Sequence, residues 1–333
     1  MKAVIAALAA NLGIAVVKFV AFLITGSASM LAESVHSVAD SGNQVLLLIG
    51  RGRADRPRSP EHPFGFGRER YFYAFIVSVM LFTVGAVFSV YEGVHKIMHP
   101  EAVHDPVIAL AVLALCAALE AFSFRTAIHE ANLVRGRRTW AGFVRHTKAP
   151  ELPVVLLEDL AALIGLAIAF AGVSLSWATG TGRWDGAGSL AIGLLLAVAA
   201  AILARETKSM LIGESAGAET EQAIMAAIED GPEVEQVIHL RTIHLGPDSV
   251  LVTAKVAVRE NDSAAQITAG IDAIEQRIRA AVPMAETIYL EPDLYRPARS
   301  DQADPSIRST RTPPPRPASV PDSASGPAPH NPA

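Results

Sequence analysis

Two apolar stretches of the chain carry acidic and imidazole side chains at spacings that could bind a metal ion. In the first, His36 and Asp40 are four residues apart, so a helix places both on one face, and Glu33 joins them from three residues before His36. In the second, Glu158 and Asp159 interrupt a long apolar run. Carboxylate oxygens and an imidazole nitrogen drawn from two helices suit tetrahedral zinc. We predict a divalent-cation site at His36, Asp40 and Asp159, with Glu158 and Glu33 as further candidate ligands.

The alternative is that these groups only pack the helices together. Ionisable groups inside a membrane are costly and generally face a bundle interior or a cavity, which favours a metal site for the central three. Glu33 could instead be hydrated at the end of its stretch, and Glu158 lies about 100° around the helix from Asp159. Structural hydrogen bonds between helices are an equal alternative for the neutral polar residues Asn11, Ser41, Asn43 and Gln44.

Polar residues near the ends of other apolar stretches are interpreted as structural. Glu92 and His95 lie near the end of the third stretch, and Glu120 lies late in the fourth. We expect them to reach towards the membrane surface, or to pair with Lys96 or Arg125.

The composition is that of a membrane protein with a smaller soluble part. Hydrophobic residues make up 51% of the 333 residues, and charged residues 18%, against roughly a quarter in soluble proteins. The net charge of −5 argues against a nucleic-acid partner, and the single cysteine excludes a disulfide framework or a cysteine-rich zinc site. About 20 mainly apolar residues cross a bilayer. Six stretches meet or approach that length: 3–24, 30–50, 71–97, 106–127, 152–174 and 188–204.

Basic residues are concentrated in alternate connections between these stretches. The connections after the second, fourth and sixth stretches are rich in arginine and lysine, whereas the others carry almost none. Under the positive-inside rule, the basic connections and both termini face the cytoplasm. We therefore expect a multi-pass protein in contact with membrane lipid, and the alanine- and arginine-rich composition favours a bacterial inner membrane. Small residues near the sixth stretch would allow close helix packing: Gly186, Gly188, Ser189 and Gly193.

Beyond residue 210 the pattern becomes that of a small α+β domain. A short helix over 219–229 and a strand over 234–244 precede the alternating residues of a second strand at 250–258. A helix then begins near a cap at Asp262 or Ser263, and a last strand covers 287–290. We predict a transmembrane domain at 1–210, a cytoplasmic αββαβ domain at 211–295, and a disordered Pro/Ser-rich tail at 296–333.

Several motifs resemble the cation diffusion facilitator family. One covers residues 25–40 and ends on the Glu33, His36 and Asp40 pattern; another is His-Pro-Phe-Gly-Phe-Gly-Arg at 62–68. Tyr91-Glu92-Gly93 extends the resemblance, which covers about 1–292, and Leu156-Leu157-Glu158-Asp159 is similar to the branch that contains the zinc transporter nine group. The resemblance implies a mainly α fold with six transmembrane helices, a ferredoxin-like cytoplasmic domain, a homodimer and metal-for-proton antiport by alternating access.

The resemblance also assigns positions in a central metal site. The family takes two residues four apart on the second span, which here are His36 and Asp40, and two four apart on the fifth. Asp159 matches the last position, but the other falls on Val155, which cannot bind metal. Glu158, Glu33, Asn43 or a water could fill the vacancy.

At the other metal sites of the family, most of the ligand positions carry residues in this sequence that cannot bind metal. The loop motif retains His62, which we expect to be solvated, but has Phe66 in place of a second histidine. Of the family's metal positions in the soluble domain, only Glu291 could still bind metal, whereas His239 and His244, outside that pattern, are possible surface ligands. The domain's usual histidine positions fall near Ile238, Ala254 and Tyr289. We therefore expect no bound zinc pair and no cofactor there, and a role in dimerisation.

Together, these features predict a divalent-cation transporter that exports zinc from the cytoplasm in exchange for protons. His36 is the natural proton exchanger, because imidazole titrates near neutral pH. The alternatives are a manganese, iron or cobalt exporter of the same fold, and a membrane metal sensor that binds without transporting. An enzyme is not expected, because the chain has no His-Glu-x-x-His run.

Overall fold

The computed structural model describes residues 2–25, 28–100 and 105–295. Its first part is helical, and its second is a small α+β domain. The helices of the first part are α1 (Lys2–Thr25), α2 (Ala28–Ala54), α3 (Glu69–Met80), α4 (Phe88–Met98), α5 (Pro106–Arg135), α6 (Trp140–His146), α7 (Glu151–Thr179) and α8 (Arg183–Ile212). A π-helical segment, Leu81–Val87, joins α3 to α4 and makes one continuous helix of them.

Within the described residues, four helices are long and apolar enough to cross a membrane. They are Glu69–Met98, α5, α7 and α8. The apolar part of α1 is shorter, Val4–Val20, and α2 is interrupted by polar residues, among them Asp40, Asn43 and Gln44. Both nevertheless pack against the other four, α1 on α2 and α5, and α2 on α3. This confirms the mainly helical membrane fold, with several helices extending beyond their predicted spans.

Glycines bring α4 and α8 into backbone contact. A methyl group on Gly93 would lie 2.5 Å from the backbone nitrogen of Leu190, and one on Gly186 would lie 2.9 Å from that of Ile97. Gly193 is equally close to Val90. The predicted close approach is therefore confirmed for Gly186 and Gly193, because any side chain at these positions would push the helices apart.

The soluble part has the predicted αββαβ order: α9 (Ala218–Glu229), β1 (Gln236–Gly246), β2 (Ser249–Ala257), α10 (Ala264–Ala281) and β3 (Thr287–Asp293). Strands lie in the order β1-β2-β3, with β1 antiparallel and β3 parallel to β2. Ser263 caps the start of α10. Its side-chain oxygen accepts a hydrogen bond from the backbone N–H of Gln266, and the side-chain oxygen of Gln266 accepts one from the backbone N–H of Ser263. Both helices pack on the sheet through Ile224, Ile228, Ile274 and Ile278.

Ion pairs join the soluble part to the helices. Arg70, at the start of α3, donates to both carboxylate oxygens of Glu151 at the start of α7, and its Nη1 donates to Asp248 Oδ2 in the β1–β2 turn at 2.9 Å. Lys148 pairs with Glu214 after α8. Burial raises the pKa of Glu214, but hydrogen bonds from Lys148 and Ser209 outweigh it and hold that pKa below its usual value. The β1–β2 end is thus fixed against α3 and α7.

Candidate metal site among α1, α2, α5 and α7

A cavity of about 250 Å³ lies inside the helical part. Ionisable side chains from four helices line its inner region: Lys18 of α1, Asp40 of α2, Glu120 of α5, and Glu158 and Asp159 of α7. At its other end it reaches Lys96 of α4, Ala109 of α5 and Asp185 of α8, which lie at the helix ends next to the connections poor in basic residues. An apolar core that includes Leu47, Val154 and Leu203 fills the bundle on the side of the base-rich connections. Within the described residues, the cavity therefore extends from the acidic groups towards the end of the bundle that is poor in basic residues, whereas the apolar core lies towards the other end.

Asp159 is directed from α7 towards α5. Its side chain is 2% exposed, and its Oδ2 accepts a hydrogen bond from Ser123 Oγ at 2.7 Å. Ser123 is fully buried. This bond ties the two helices together at the level of the cavity and leaves Oδ1 of Asp159 for another partner.

Asp40 contributes the carboxylate of α2 and is partly buried. One turn earlier, Ser37 Oγ accepts from the buried Lys18 Nζ at 3.2 Å, which brings the ammonium of α1 to the same wall. Ser41 makes only a bond within its own helix, to the Ser37 carbonyl oxygen at 3.0 Å. For Ser41 the structural interpretation therefore applies.

Glu158 is held by amide groups rather than presented freely to the cavity. Its Oε1 accepts from Asn43 Nδ2 at 3.1 Å, and its Oε2 accepts from Gln44 Nε2 at 2.6 Å. These bonds connect α7 to α2 one turn beyond Asp40. The amide oxygens of Asn43 and Gln44 are buried without a hydrogen-bond partner in the described structure. Asn43 and Gln44 thus position Glu158, which answers in structural terms a question that the sequence left open.

Val155, where the family pattern would place a ligand, is fully buried in the apolar core next to Val154. The side chains of Glu33 and His36 lie outside the described residues, so their predicted roles stay predictions. Among the side chains that the structure does describe, no group of three or more histidines, cysteines or acids is arranged to hold a metal ion together. The cavity therefore gathers acids without closing them around an ion in this conformation.

Glu120 is the residue that the sequence analysis misjudged. The expectation that it reaches the membrane surface or pairs with Lys96 or Arg125 is wrong: it is 6% exposed and lines the cavity with Asp159. The predicted span ended at 127, which put Glu120 near a helix end. The helix continues to Arg135, so Glu120 lies at its middle. The signal for its burial was the spacing of small and polar residues on one face of α5: Cys116, Glu120, Ser123, Ala127 and Ala131.

The residues at the far end of the cavity behave as expected. Lys96 Nζ lies 3.6 Å from Glu92 Oε1 and 3.0 Å from Asp185 Oδ2, an ion-paired group between α4 and α8. His95 lies between the rings of Tyr91 and His99, with centroids 6.2 and 5.1 Å away.

Histidines of the loop and the soluble domain have other surroundings. His62 is exposed, as predicted, with its ring 4.4 Å from that of Phe66. His244 is not a surface residue, contrary to prediction: it is 3% exposed, burial lowers its pKa, and its Nδ1 lies 3.2 Å from the Gly246 carbonyl oxygen. Glu291 pairs with Lys255 at 3.1 Å, while the same lysine also binds Asp293.

Two family models together match the chain from residue 4 to residue 293. The cation efflux transmembrane domain matches residues 4–212, and the cytoplasmic domain of cation efflux proteins matches residues 216–293. The chain belongs to the cation efflux family. Its transmembrane match covers the helices that line the cavity, and its cytoplasmic match covers α9 to β3.

Relatives within the cation efflux family are found in animals and bacteria. The chain is 34% identical over 241 residues to the proton-coupled zinc antiporter SLC30A9, mitochondrial, of Mus musculus, and 34% identical over 243 residues to that of Homo sapiens. Each match covers 72% of this chain but 42% of the relative, so the chain spans less than half the length of these proteins. The cation-efflux pump FieF of Pectobacterium atrosepticum is 26% identical, over 86% of this chain and 90% of its own. A solved structure of the MamM CTD in a nickel form matches 23% of the chain at 19% identity, with a TM-score of 0.22.

Proposed function

We propose that this cation efflux protein exports a divalent cation, zinc foremost, in exchange for protons. The observation that carries the proposal is the cavity, where Asp40, Glu120 and Asp159 from three helices line one space inside the bundle. Buried carboxylates in a membrane domain are costly unless a cation or a proton neutralises them. The printed names of the animal relatives, proton-coupled zinc antiporters, support zinc and protons as the exchanged ions.

The exchange follows from the chemistry of the ligands. Carboxylates and imidazole bind a metal only in their deprotonated forms, so metal entry expels protons and proton entry releases metal. Asp40 and His36 on α2, with Asp159 on α7, would bind the ion between them. His36 is suited to carry a proton, because imidazole titrates near neutral pH.

Alternating access requires the packed end of the bundle to open. Two layers of contacts hold that end closed: the amide bonds from Asn43 and Gln44 to Glu158, and the Arg70 pair with Glu151. Because α2 and α3 are joined through these contacts to α7, their separation would expose the cavity to the base-rich side. In this proposal, the present conformation is closed on the base-rich side, and the cavity exchanges ions with the opposite side.

The base-rich connections support a cytoplasmic location for that packed end, and export would then run from the cytoplasm outwards. We propose a bacterial inner membrane as the location, both termini inside, and a homodimer formed through the cytoplasmic domain. Protease access to a C-terminal tag in inverted vesicles tests the orientation, since the tag must be cleaved there and protected in intact cells. A monomer by mass measurement in detergent and in lipid nanodiscs would contradict the dimer.

A second candidate substrate is manganese, iron or cobalt. It is favoured by the number of carboxylates in the cavity, because oxygen ligands suit harder ions than zinc, whereas the histidine favours zinc. Competition among these metals for uptake into the same vesicles separates the two candidates.

The test of the transport proposal is zinc uptake by inverted membrane vesicles with an acidic interior. We expect the unmodified protein to accumulate zinc, and Asp40→Asn or Asp159→Asn to lower the rate at least about tenfold, since each loses a charged ligand. Asp230→Asn, an exposed substitution of the same type at the end of α9, should leave uptake unchanged. Gradient-driven uptake that survives in the double variant Asp40→Asn, Asp159→Asn would refute the site, and zinc binding without any flux would indicate a sensor.

A further inference from the structure

We propose that Glu120 of α5 is a direct ligand of the transported cation and occupies the coordination position that Val155 leaves vacant. The inference rests on the proposed function, because it concerns the same cavity. It adds a third helix to a site that the sequence pattern draws from α2 and α7 alone.

The first support is position. Glu120 lies three residues before Ser123 on α5, and Ser123 Oγ donates to Asp159 Oδ2 at 2.7 Å. Residues three apart are neighbours on one helical face. The carboxylates of Glu120 and Asp159 therefore line the same cavity from adjoining helices, and the Ser123 bond fixes α5 to α7 beside them.

The second support is that Glu120 is 94% shielded from solvent, while among the described residues its carboxylate has neither a hydrogen-bond donor nor an ion pair. A buried carboxylate without compensation is strongly unfavourable, so native proteins retain one where a ligand or a proton completes it. Glu158 differs, because each of its oxygens already accepts an amide hydrogen bond.

The third support is charge. The charged groups that act on Glu120 are the carboxylates of Asp159 and Asp40 and the ammonium of Lys18. With Glu158, four acids of the described residues line the inner region of the cavity against the ammonium of Lys18, and at the other end Glu92 and Asp185 lie with Lys96. The wall thus has an excess of acidic groups, and a divalent cation is the ligand that neutralises it.

Metal binding would draw the acids of the cavity together. Among the described residues they are not grouped around an ion, and the Ser123–Asp159 bond already joins α5 to α7 beside Glu120. A displacement of α2, carrying Asp40, towards these two helices would bring carboxylates from three helices to one ion. The resulting ligand set has more oxygen than the family pattern and would widen acceptance of manganese and cobalt.

The test is metal binding by the full-length protein in lipid nanodiscs, measured by equilibrium dialysis with zinc and with manganese. We expect Glu120→Gln to raise the zinc Kd at least about tenfold, and to raise the manganese Kd by a larger factor, because manganese depends more on carboxylate oxygen. Glu120→Asp keeps the charge on a shorter side chain and should bind better than Glu120→Gln. The visible absorption of bound cobalt should change in Glu120→Gln, which a purely structural role would not produce.

The matched control is Glu130→Gln, the same change ten residues further along α5 at a position outside the cavity lining. Glu130→Gln should leave the zinc Kd and the manganese Kd unchanged.

If Glu120→Gln folds and binds both metals within about twofold of the unmodified protein, Glu120 is not a ligand, while flux in the unmodified protein still supports the proposed function. If Glu120→Gln fails to fold, Glu120→Asp decides, and unchanged affinities with an unchanged cobalt spectrum overturn the inference. An unmodified protein that neither binds nor transports metal overturns both proposals.

Discussion

Asp159 shows how a buried acid can be oriented before an ion arrives. One of its oxygens is held by the Ser123 hydroxyl, and the other remains available towards the cavity. Partners of this kind orient a metal ligand without touching the metal, and their loss typically weakens metal binding about 10- to 100-fold.

Ser123→Ala therefore should weaken zinc binding by at least about tenfold, because Asp159 loses the donor that fixes its rotamer. The same change should cost the fold only about 1 kcal/mol, the usual net value of one hydrogen bond. Zinc Kd and thermal unfolding, both measured in nanodiscs, separate the two effects.

The control is Ser176→Ala on the same helix, where the buried hydroxyl donates to the Thr181 carbonyl oxygen, away from the acids. It should reduce stability similarly and leave zinc affinity intact. Equal zinc affinities in Ser123→Ala and in the unmodified protein would show that the Ser123 bond is structural only.

The residues that the sequence identified and those that it missed differ in a simple way. Asp40 and Asp159 stand in apolar surroundings, where charge is costly, so their types alone indicated function. The burial of Glu120 was missed because it depends on how far α5 continues. Glu158 was named as a candidate ligand, but its partners were not foreseen, because two successive amides of α2 reach it from another helix. The length of α5 and the amide partners of Glu158 can be seen only once the helices are packed together in the structure.

At the scale of elements, the crossing of α4 and α8 determines how the helices around the cavity can move. Gly93 and Gly186 leave no room for a side chain between the two backbones. Contacts of this kind let helices approach closely in membranes, where association depends on packing. The pair therefore behaves as one rigid element beside the cavity's open end.

Gly93→Val should separate α4 from α8, because its first added carbon would lie 2.5 Å from the Leu190 nitrogen. Overpacking of this kind costs about 1–3 kcal/mol, and the lower midpoint should appear in thermal unfolding in nanodiscs. Gly42→Val on α2, where an added Cβ meets nothing within 4 Å, controls for the intrinsic effect of valine in a helix. Equal unfolding midpoints for the two variants would contradict the close crossing.

The order of the helices and strands in the soluble domain could be predicted from the sequence, whereas the burial of individual side chains could not. The alternation over β2 and the αββαβ order followed from residue patterns, and the observed sheet confirms them. The burial of His244 did not follow, because alternation gives the two faces of a strand but not what covers each of them. The short helix α6 lies in a connection that was described only by its charge.

The whole molecule couples the cavity to the soluble domain through a few ion pairs. Arg70 touches α7 through Glu151 and the β1–β2 turn through Asp248. Opening of the base-rich end must therefore rearrange the contact between the two parts of the chain. In this account, metal exchange in the helices and the position of the cytoplasmic domain change together.

The central claim is that one cavity exchanges a divalent cation for protons, and the most direct test is the pH inside sealed proteoliposomes when zinc is added outside. The account predicts that zinc entry is accompanied by a rise in internal pH, as protons leave, and that Asp159→Asn abolishes both signals together. Zinc entry with no change in internal pH, or an undiminished exchange in Asp159→Asn, would contradict it.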